Sequence, residues 1–136
     1  MRFCLTFVVA IVLTGITRAD DSFFRSRVAP ILEARCVTCH EGAKPKGGLS
    51  LASAKHFNLG GDSGPPVVAG KPDESLLLGY ISGDDPEMPK DDVPLSADEV
   101  ATIREWIDSG AAWSDDVELY DKKQRARNWW SLSPLN

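Results

Sequence analysis

The stretch Cys36-Val37-Thr38-Cys39-His40 decides how the rest of the chain is interpreted. Two thiols at this spacing can add to the two vinyl groups of haem, and the adjacent imidazole then lies beside the iron as an axial ligand. The chain of 136 residues has only two histidines, and one of them stands directly after the second cysteine. The pattern predicts one covalent haem c, attached through Cys36 and Cys39, with its iron bound by His40.

Three other uses of the Cys-x-x-Cys spacing remain open. A thioredoxin-like redox pair has the same spacing, but it belongs in a strand–helix frame that this sequence does not predict. A structural disulfide is compatible with an oxidising compartment. A zinc site would need two more good ligands.

Met88 is the predicted second axial ligand of the iron. A thioether sulfur favours the reduced iron and raises its potential. Methionine is usually a core residue, but Met88 lies in a proline-rich loop, precedes Pro89, and stands 48 residues after His40. That length lets the chain reach the opposite face of a haem. His56 is the rival for this position, although an exposed side chain is the simpler expectation there.

Residues 1–19 are predicted to be a signal peptide that is cleaved after Ala19. A basic start, Met1–Arg2, precedes an apolar run of 14 residues, Phe3–Ile16. A bilayer span needs roughly 20 residues, so no membrane span is expected in the mature chain. The sequence therefore predicts a secreted protein, periplasmic or otherwise extracytoplasmic.

The composition is that of a soluble globular protein with room for one domain. Apolar residues make up 43% of the chain and charged residues 26%, which are ordinary values. Removal of residues 1–19 lowers the number of basic residues from 15 to 13, against 20 acidic residues. Such a surface repels nucleic acid and anionic lipid, so neither is expected as a partner.

The hydrophobic pattern predicts an all-α fold with three main helices. The first is expected within Ser22–Arg35, where Pro30 should kink or shorten it. The second begins at Pro72 and presents Leu76, Leu77, Tyr80 and Ile81 on one face. The third lies between a capping box at Ser96–Glu99 and a stop at Gly110.

Four further side chains are candidates for contacts with the carboxylates of a haem. Lys44 and Lys46 follow the cysteine motif closely, although a solvated basic loop explains them equally well. Trp106 and Trp113 are expected to pack in the core and around the haem. Either indole N–H could donate to a haem propionate.

From about Phe23 to Trp113 the sequence resembles the planctomycete-type cytochrome c domain. Several linked motifs carry the resemblance in addition to the cysteine motif. They are Pro30-Ile31-Leu32, Lys44-Pro45-Lys46-Gly47-Gly48-Leu49, Gly60-Gly61-Asp62-Ser63-Gly64-Pro65, Gly70-Lys71-Pro72-Asp73-Glu74-Ser75, Met88-Pro89, Leu95-Ser96 and Trp106-Ile107-Asp108-Ser109-Gly110-Ala111.

The resemblance implies a class I-like monohaem cytochrome c, a small helical domain with extended loops wrapped around one covalent haem. It assigns haem attachment to Cys36 and Cys39, the proximal ligand to His40 and the distal ligand to Met88. The predicted domains are the signal peptide at 1–19, the cytochrome c domain at 20–113, and a linker or tail at 114–136. The tail is either the start of a following domain or a segment that packs back.

The predicted function is one-electron transfer with a redox partner protein, and not enzymatic turnover. No set of residues has the character of a substrate-turnover site. Two alternatives remain open, a haem domain of a larger oxidoreductase and a haem-based sensor or ligand-binding module. The sensor would require Met88 to leave the iron.

Overall fold

The computed structural model of the protein describes residues 21–122, with the exception of residue 91. The predicted signal peptide, 1–19, and the end of the predicted tail, 123–136, lie outside the described residues. The domain boundaries therefore stay predictions. No helix in the described part of the chain has the length and apolar character needed to cross a membrane.

The described residues are helical and contain no β-strand, in agreement with the predicted all-α class. Two isolated bridges, Ser53 with Glu118 and Gly61 with Gly64, are the β-type pairings among them. The helical segments, in chain order, are a π-helix at Phe24–Val28, α1 at Ala29–Arg35, α2 at Val37–His40, a 3₁₀ turn at Lys46–Gly48, α3 at Ala54–Leu59, a 3₁₀ turn at Pro72–Glu74, α4 at Leu76–Ile81 and α5 at Ala97–Asp108.

Pro30 changes the pitch of the first helix without ending it. A proline has no amide hydrogen to donate, and its ring crowds the carbonyl four residues earlier. The π-helix that precedes it ends with the Ala29 N–H donating to the Phe24 carbonyl, a span of five residues. This wider turn makes room for the ring at the start of α1, so the predicted irregularity is confirmed.

The predicted boundaries of α5 are confirmed by its hydrogen bonds. The Ser96 hydroxyl accepts from the Glu99 N–H at 3.2 Å, and the Glu99 carboxylate accepts from the Ser96 N–H at 2.8 Å. At the other end Gly110 has a φ of 108°, and the Ala111 N–H donates to the Trp106 carbonyl at 2.9 Å. A glycine in this conformation lets the chain turn back directly after the helix.

The prediction for the second helix is partly wrong. Leu77 is half-buried and Ile81 is buried, but Leu76 is 38% exposed and Leu78 is the residue that enters the core. The helix does not run on from Pro72, because the 3₁₀ turn there ends before Ser75 and α4 begins after it. This break changes the helical register, which a count from Pro72 cannot anticipate.

An aromatic cluster joins the first helix to the last. Phe24 lies 5.3 Å from Trp106 and 4.4 Å from Trp113, measured between ring centroids. Phe57 of α3 lies 5.9 Å from Trp106 and 5.4 Å from Trp113. Phe24 and Trp106 have almost no exposed surface, so this cluster is the centre of the core and sets how the π-helix and α5 pack.

Residues 114–122 lie against the domain. Leu119 is buried, and its N–H donates to the Ala52 carbonyl at 2.9 Å. The Lys122 ammonium lies 2.5 Å from a carboxylate oxygen of Glu33. The described part of the predicted tail thus returns to α1 and to the segment before α3.

A charged network holds the start of the first helix to this returning segment. The Arg25 guanidinium lies 2.9 Å from Asp21 and 2.7 Å from Asp116, and it donates to the Ser114 hydroxyl at 3.0 Å. Hydrogen bonds from Ser114 and Arg25 lower the pKa of Asp21, and bonds from Arg25 and Ser114 lower the pKa of Asp116. Asp21 is half-buried and Asp116 is exposed, so the network is open to solvent and to salt.

This network predicts an acid-sensitive contribution to stability. A carboxylate whose pKa falls on folding stabilises the native state above the unfolded-state pKa, ordinarily 3.8, and loses that contribution as pH falls through the folded-state value. Arg25→Gln should therefore lower the Tm at pH about 7, and the Tm difference from wild type should shrink at pH about 2.5.

Circular dichroism melts at the two pH values measure this difference. Arg27→Gln is the matched control, because this substitution removes the same charge from the same helix. Arg27 forms no ion pair with another described residue. An equal Tm difference for Arg25→Gln at both pH values would contradict the assignment.

Candidate functional site

The motif Cys36–His40 forms a tight helical turn directly after α1. The Cys36 N–H still donates to the Leu32 carbonyl at 2.9 Å, and the His40 N–H donates to the Cys36 carbonyl at 3.1 Å. Val37 has no exposed surface and anchors the turn in the core. The turn leaves Cys36 and His40 half-buried and Cys39 exposed.

Both cysteine thiols of the motif are free. Burial raises the pKa of the Cys36 thiol to about 12, and the nearby positive charge of Arg35 opposes this only in part. The thiol is therefore neutral at pH 7. A thioredoxin-like pair works through a thiolate with a lowered pKa, so this environment disfavours the redox-pair alternative.

The described residues also lack the ligands of a zinc site. Within residues 21–122, residue 91 aside, no three His, Cys, Asp or Glu side chains are grouped so that they could hold a metal ion. A structural zinc needs four such ligands. An iron held in a porphyrin needs only two axial ligands from the protein, so the predicted haem site does not require such a group.

The His40 ring is oriented by a backbone carbonyl. Its Nδ1 lies 3.2 Å from the Leu49 carbonyl oxygen. A carbonyl only accepts, so Nδ1 carries the proton in this arrangement and Nε2 keeps a free lone pair. The Leu51 N–H donates to the His40 carbonyl at 2.7 Å and holds the backbone as well. This is the tautomer that a metal-binding histidine needs.

Two glycine-containing loops fix the position of Leu49. The Asp62 N–H donates to the Gly47 carbonyl at 2.8 Å, which ties the loop after the motif to the loop after α3. A Cβ on Gly61 would lie 2.6 Å from the Gly47 oxygen and 3.0 Å from the Leu49 Cβ. Only glycine permits this approach, and the sequence alone did not indicate that these glycines are linked to His40.

Met88 lies in the loop between α4 and α5. Its N–H donates to the Tyr80 carbonyl at 2.9 Å, and its peptide bond to Pro89 is cis. The side chain is half-buried against the core cluster that Cys36 and Leu49 also border. The Met88 side chain thus borders the same core as Cys36, and its role as an iron ligand stays a prediction.

The other candidate side chains have different surroundings. His56 is exposed on α3, where its Nδ1 lies 2.8 Å from the Ser53 hydroxyl. Lys44 and Lys46 are exposed. The Trp106 indole donates to the Ala112 carbonyl and the Trp113 indole to the Val117 carbonyl, each at 2.9 Å. Both indole N–H groups are used within the protein, which removes them as donors to a haem propionate.

Two sets of long-range contacts at the motif were not found from the sequence. Arg35, directly before the first cysteine, donates to the carbonyls of Val93 and Pro94. The Thr38 hydroxyl, between the cysteines, donates to the Asp121 carboxylate at 3.1 Å. A charged residue and a hydroxyl beside the motif are weak signals, because nothing local indicates partners so far along the chain.

A separate cleft of about 410 Å³ opens between α4 and α5. Its walls include Ile81, Pro86, Leu95 and Val100. None of the four predicted haem-binding residues lines it. The cleft is therefore distinct from the cysteine motif.

The comparison with protein families finds a match over the part of the chain that contains the cysteine motif and Met88. A family model described as Planctomycete cytochrome C matches residues 36–92, from the first cysteine of the motif to just beyond Met88. The class of protein is accordingly a haem-binding cytochrome. The resemblance that the sequence predicts is confirmed by this match over residues 36–92. No curated protein and no solved structure matches the chain.

The close approach at Gly61 predicts a difference between two glycine substitutions. Gly61→Ala should lower the free energy of unfolding by about 1–3 kcal/mol, because the methyl group meets backbone atoms that have to move. Gly79 is the matched control: it lies within α4 with open space at its Cβ. Gly79→Ala should raise the free energy of unfolding by about 0.5–1 kcal/mol.

Urea unfolding of both variants measures these changes. A Gly61→Ala protein as stable as wild type would show that the two loops do not hold Leu49 as tightly as the structure indicates.

Proposed function

We propose that the mature chain is a monohaem c-type cytochrome that transfers one electron outside the cytoplasm. In this proposal Cys36 and Cys39 attach the haem, and His40 and Met88 bind its iron. The observation that carries the proposal is the hydrogen bond from His40 Nδ1 to the Leu49 carbonyl, within a turn that also presents two free thiols. The family match over residues 36–92 supports it.

The two thiols are suited to thioether formation. In each attachment the S–H adds across one vinyl group, so that a sulfur–carbon bond forms and the hydrogen goes to the neighbouring carbon. The addition needs no oxidant or reductant. Val37 fixes the backbone of the turn in the core, which gives both cysteines a rigid support.

His40 acts as the proximal ligand through its free Nε2. The Leu49 carbonyl fixes the ring orientation and makes the imidazole a better donor to the metal, as outer hydrogen-bond partners of metal-binding histidines do. When bound, the haem supplies an iron that gains and loses one electron. A ring that is already oriented before binding limits rearrangement of the protein when that electron moves.

Met88 acts as the distal ligand. Its side chain is half-buried against the core. The hydrogen bond from its N–H to Tyr80 anchors the loop to the end of α4. A sulfur ligand stabilises the reduced iron relative to the oxidised iron, which suits a carrier that accepts an electron and passes it on.

The partner in this proposal is a redox protein. One electron enters from a reduced donor protein and one leaves to an oxidised acceptor protein, so the cytochrome itself is unchanged after each cycle. The basic start and apolar run within residues 1–19 support export from the cytoplasm. The proposal assigns the protein no substrate turnover of its own.

The attachment is tested by substitution of the cysteines in a host that attaches haem to exported proteins. The double variant Cys36→Ala/Cys39→Ala should lose all covalent haem, and each single variant should keep at most one thioether link. Haem staining on denaturing gels and the mass of the intact protein measure this. Covalent haem in the double variant would contradict the assignment of both thiols.

The distal ligand is tested by Met88→Ala. The charge-transfer band of sulfur-ligated ferric haem should be present in the wild-type protein and absent from the variant, because no other methionine remains after removal of residues 1–19. The reduced variant should also bind carbon monoxide rapidly, since the iron then has an open position.

His56→Ala is the control for the rival ligand, and its spectrum should equal that of wild type. Rapid carbon monoxide binding by the wild-type protein would favour the sensor alternative over an electron carrier. A band that is present in both wild type and Met88→Ala, or absent from both, would show that the sulfur assignment is wrong.

A further inference from the structure

Arg35 joins the cysteine motif to the loop that carries Met88. Its Nη2 donates to the carbonyl oxygen of Val93 and lies 3.4 Å from that of Pro94. Its Nη1 lies 3.8 Å from a carboxylate oxygen of Asp92. Arg35 is the last residue of α1 and stands directly before Cys36, so one side chain connects the two predicted ligand-bearing segments.

The position of this guanidinium is constrained by burial. The Arg35 side chain is only 19% exposed, and its Nε–H is buried without a hydrogen-bond partner among the described residues. Only the two terminal nitrogens of Arg35, Nη1 and Nη2, contact oxygen atoms of other described residues. A planar guanidinium can reach two carbonyls and a carboxylate together, which the single ammonium of a lysine cannot reproduce.

The loop it holds has few other attachments. Met88 is fixed at its own N–H by the Tyr80 carbonyl, and Leu95 is the first described residue after it that is buried in the core. Between them, the described hydrogen bonds of Val93 are one from its own N–H to the neighbouring Asp92 side chain and one to Arg35. Prolines in the loop cannot donate from the backbone. The loop therefore depends on contacts from outside itself.

We propose that Arg35 is a positioning residue that holds the Met88 loop closed over the iron, an inference that rests on the proposed function. The guanidinium sets the distance between the end of α1 and the carbonyls that follow Met88. Without this guanidinium, the loop opens more often and the Met88 thioether leaves the iron more often. An external ligand then binds the iron more tightly, because it competes with a weaker internal ligand.

The experiment uses the haem-loaded mature protein and imidazole as the external ligand of the ferric iron. Arg35→Gln should raise the affinity for imidazole by about tenfold or more, as expected when a charge-assisted hydrogen bond that favours the closed loop is lost. Arg104→Gln is the matched control, because the ion pair of Arg104, with Asp73 at 2.7 Å, is exposed and involves no residue of this loop. It should bind imidazole within about twofold of wild type.

Arg35→Lys keeps the charge and guards against a loss of folding in the glutamine variant. It should also bind imidazole more tightly than wild type, because one ammonium cannot replace the forked contact. A merely structural role would lower the melting temperature without changing ligand exchange in the folded protein. Imidazole affinities of Arg35→Gln and Arg35→Lys equal to that of Arg104→Gln would overturn the proposal.

Met88→Ala, measured in parallel, distinguishes a failure of the proposed ligand set from a failure of the positioning role of Arg35. If the wild-type protein has no sulfur-to-iron band, or Met88→Ala retains it, the proposed ligand set is wrong. If Met88→Ala loses the band while the Arg35 variants bind imidazole as wild type does, the ligand set stands and the positioning role of Arg35 is wrong.

Discussion

The packing of Phe24 between Trp106 and Trp113 is the contact on which the rest of the structure depends. It brings the first helix against the last and buries large aromatic surfaces from both ends of the domain. The first helix runs directly into the cysteine motif through α1 and Cys36. The aromatic cluster therefore places the motif, because a turn that starts at the end of a fixed helix is itself fixed in space.

The features predicted correctly from the sequence are those with a local physical cause. Ser96 and Glu99 satisfy each other's backbone groups within one helical turn, and Pro30 disturbs the helix around its own ring. The Cys36–His40 motif is likewise contained in five consecutive residues, and the family match begins there. The haem chemistry predicted for these residues stays a prediction. Such patterns can be read without knowledge of the fold.

The contacts that the sequence did not reveal join residues far apart. Arg35 and Val93 are separated by 58 positions, and Thr38 and Asp121 by 83. Nothing in an isolated arginine or threonine indicates which carbonyl or carboxylate will meet it. The error at Leu76 has a similar origin, because the break at Ser75 depends on hydrogen bonds of the Ser75 hydroxyl with the backbone of Lys71 and Val68.

The bond between Thr38 and Asp121 has a consequence for the order in which the domain is completed. Asp121 also donates its N–H to the carboxylate of Glu41 at 3.1 Å, so one residue contacts both sides of the Cys36–His40 turn. During synthesis, every predicted ligand has been made before Asp121 is added. Until that point the Thr38 hydroxyl and the Glu41 carboxylate lack the partner that the finished chain gives them. The turn predicted to bind the haem is thus completed late, by a segment outside the family match.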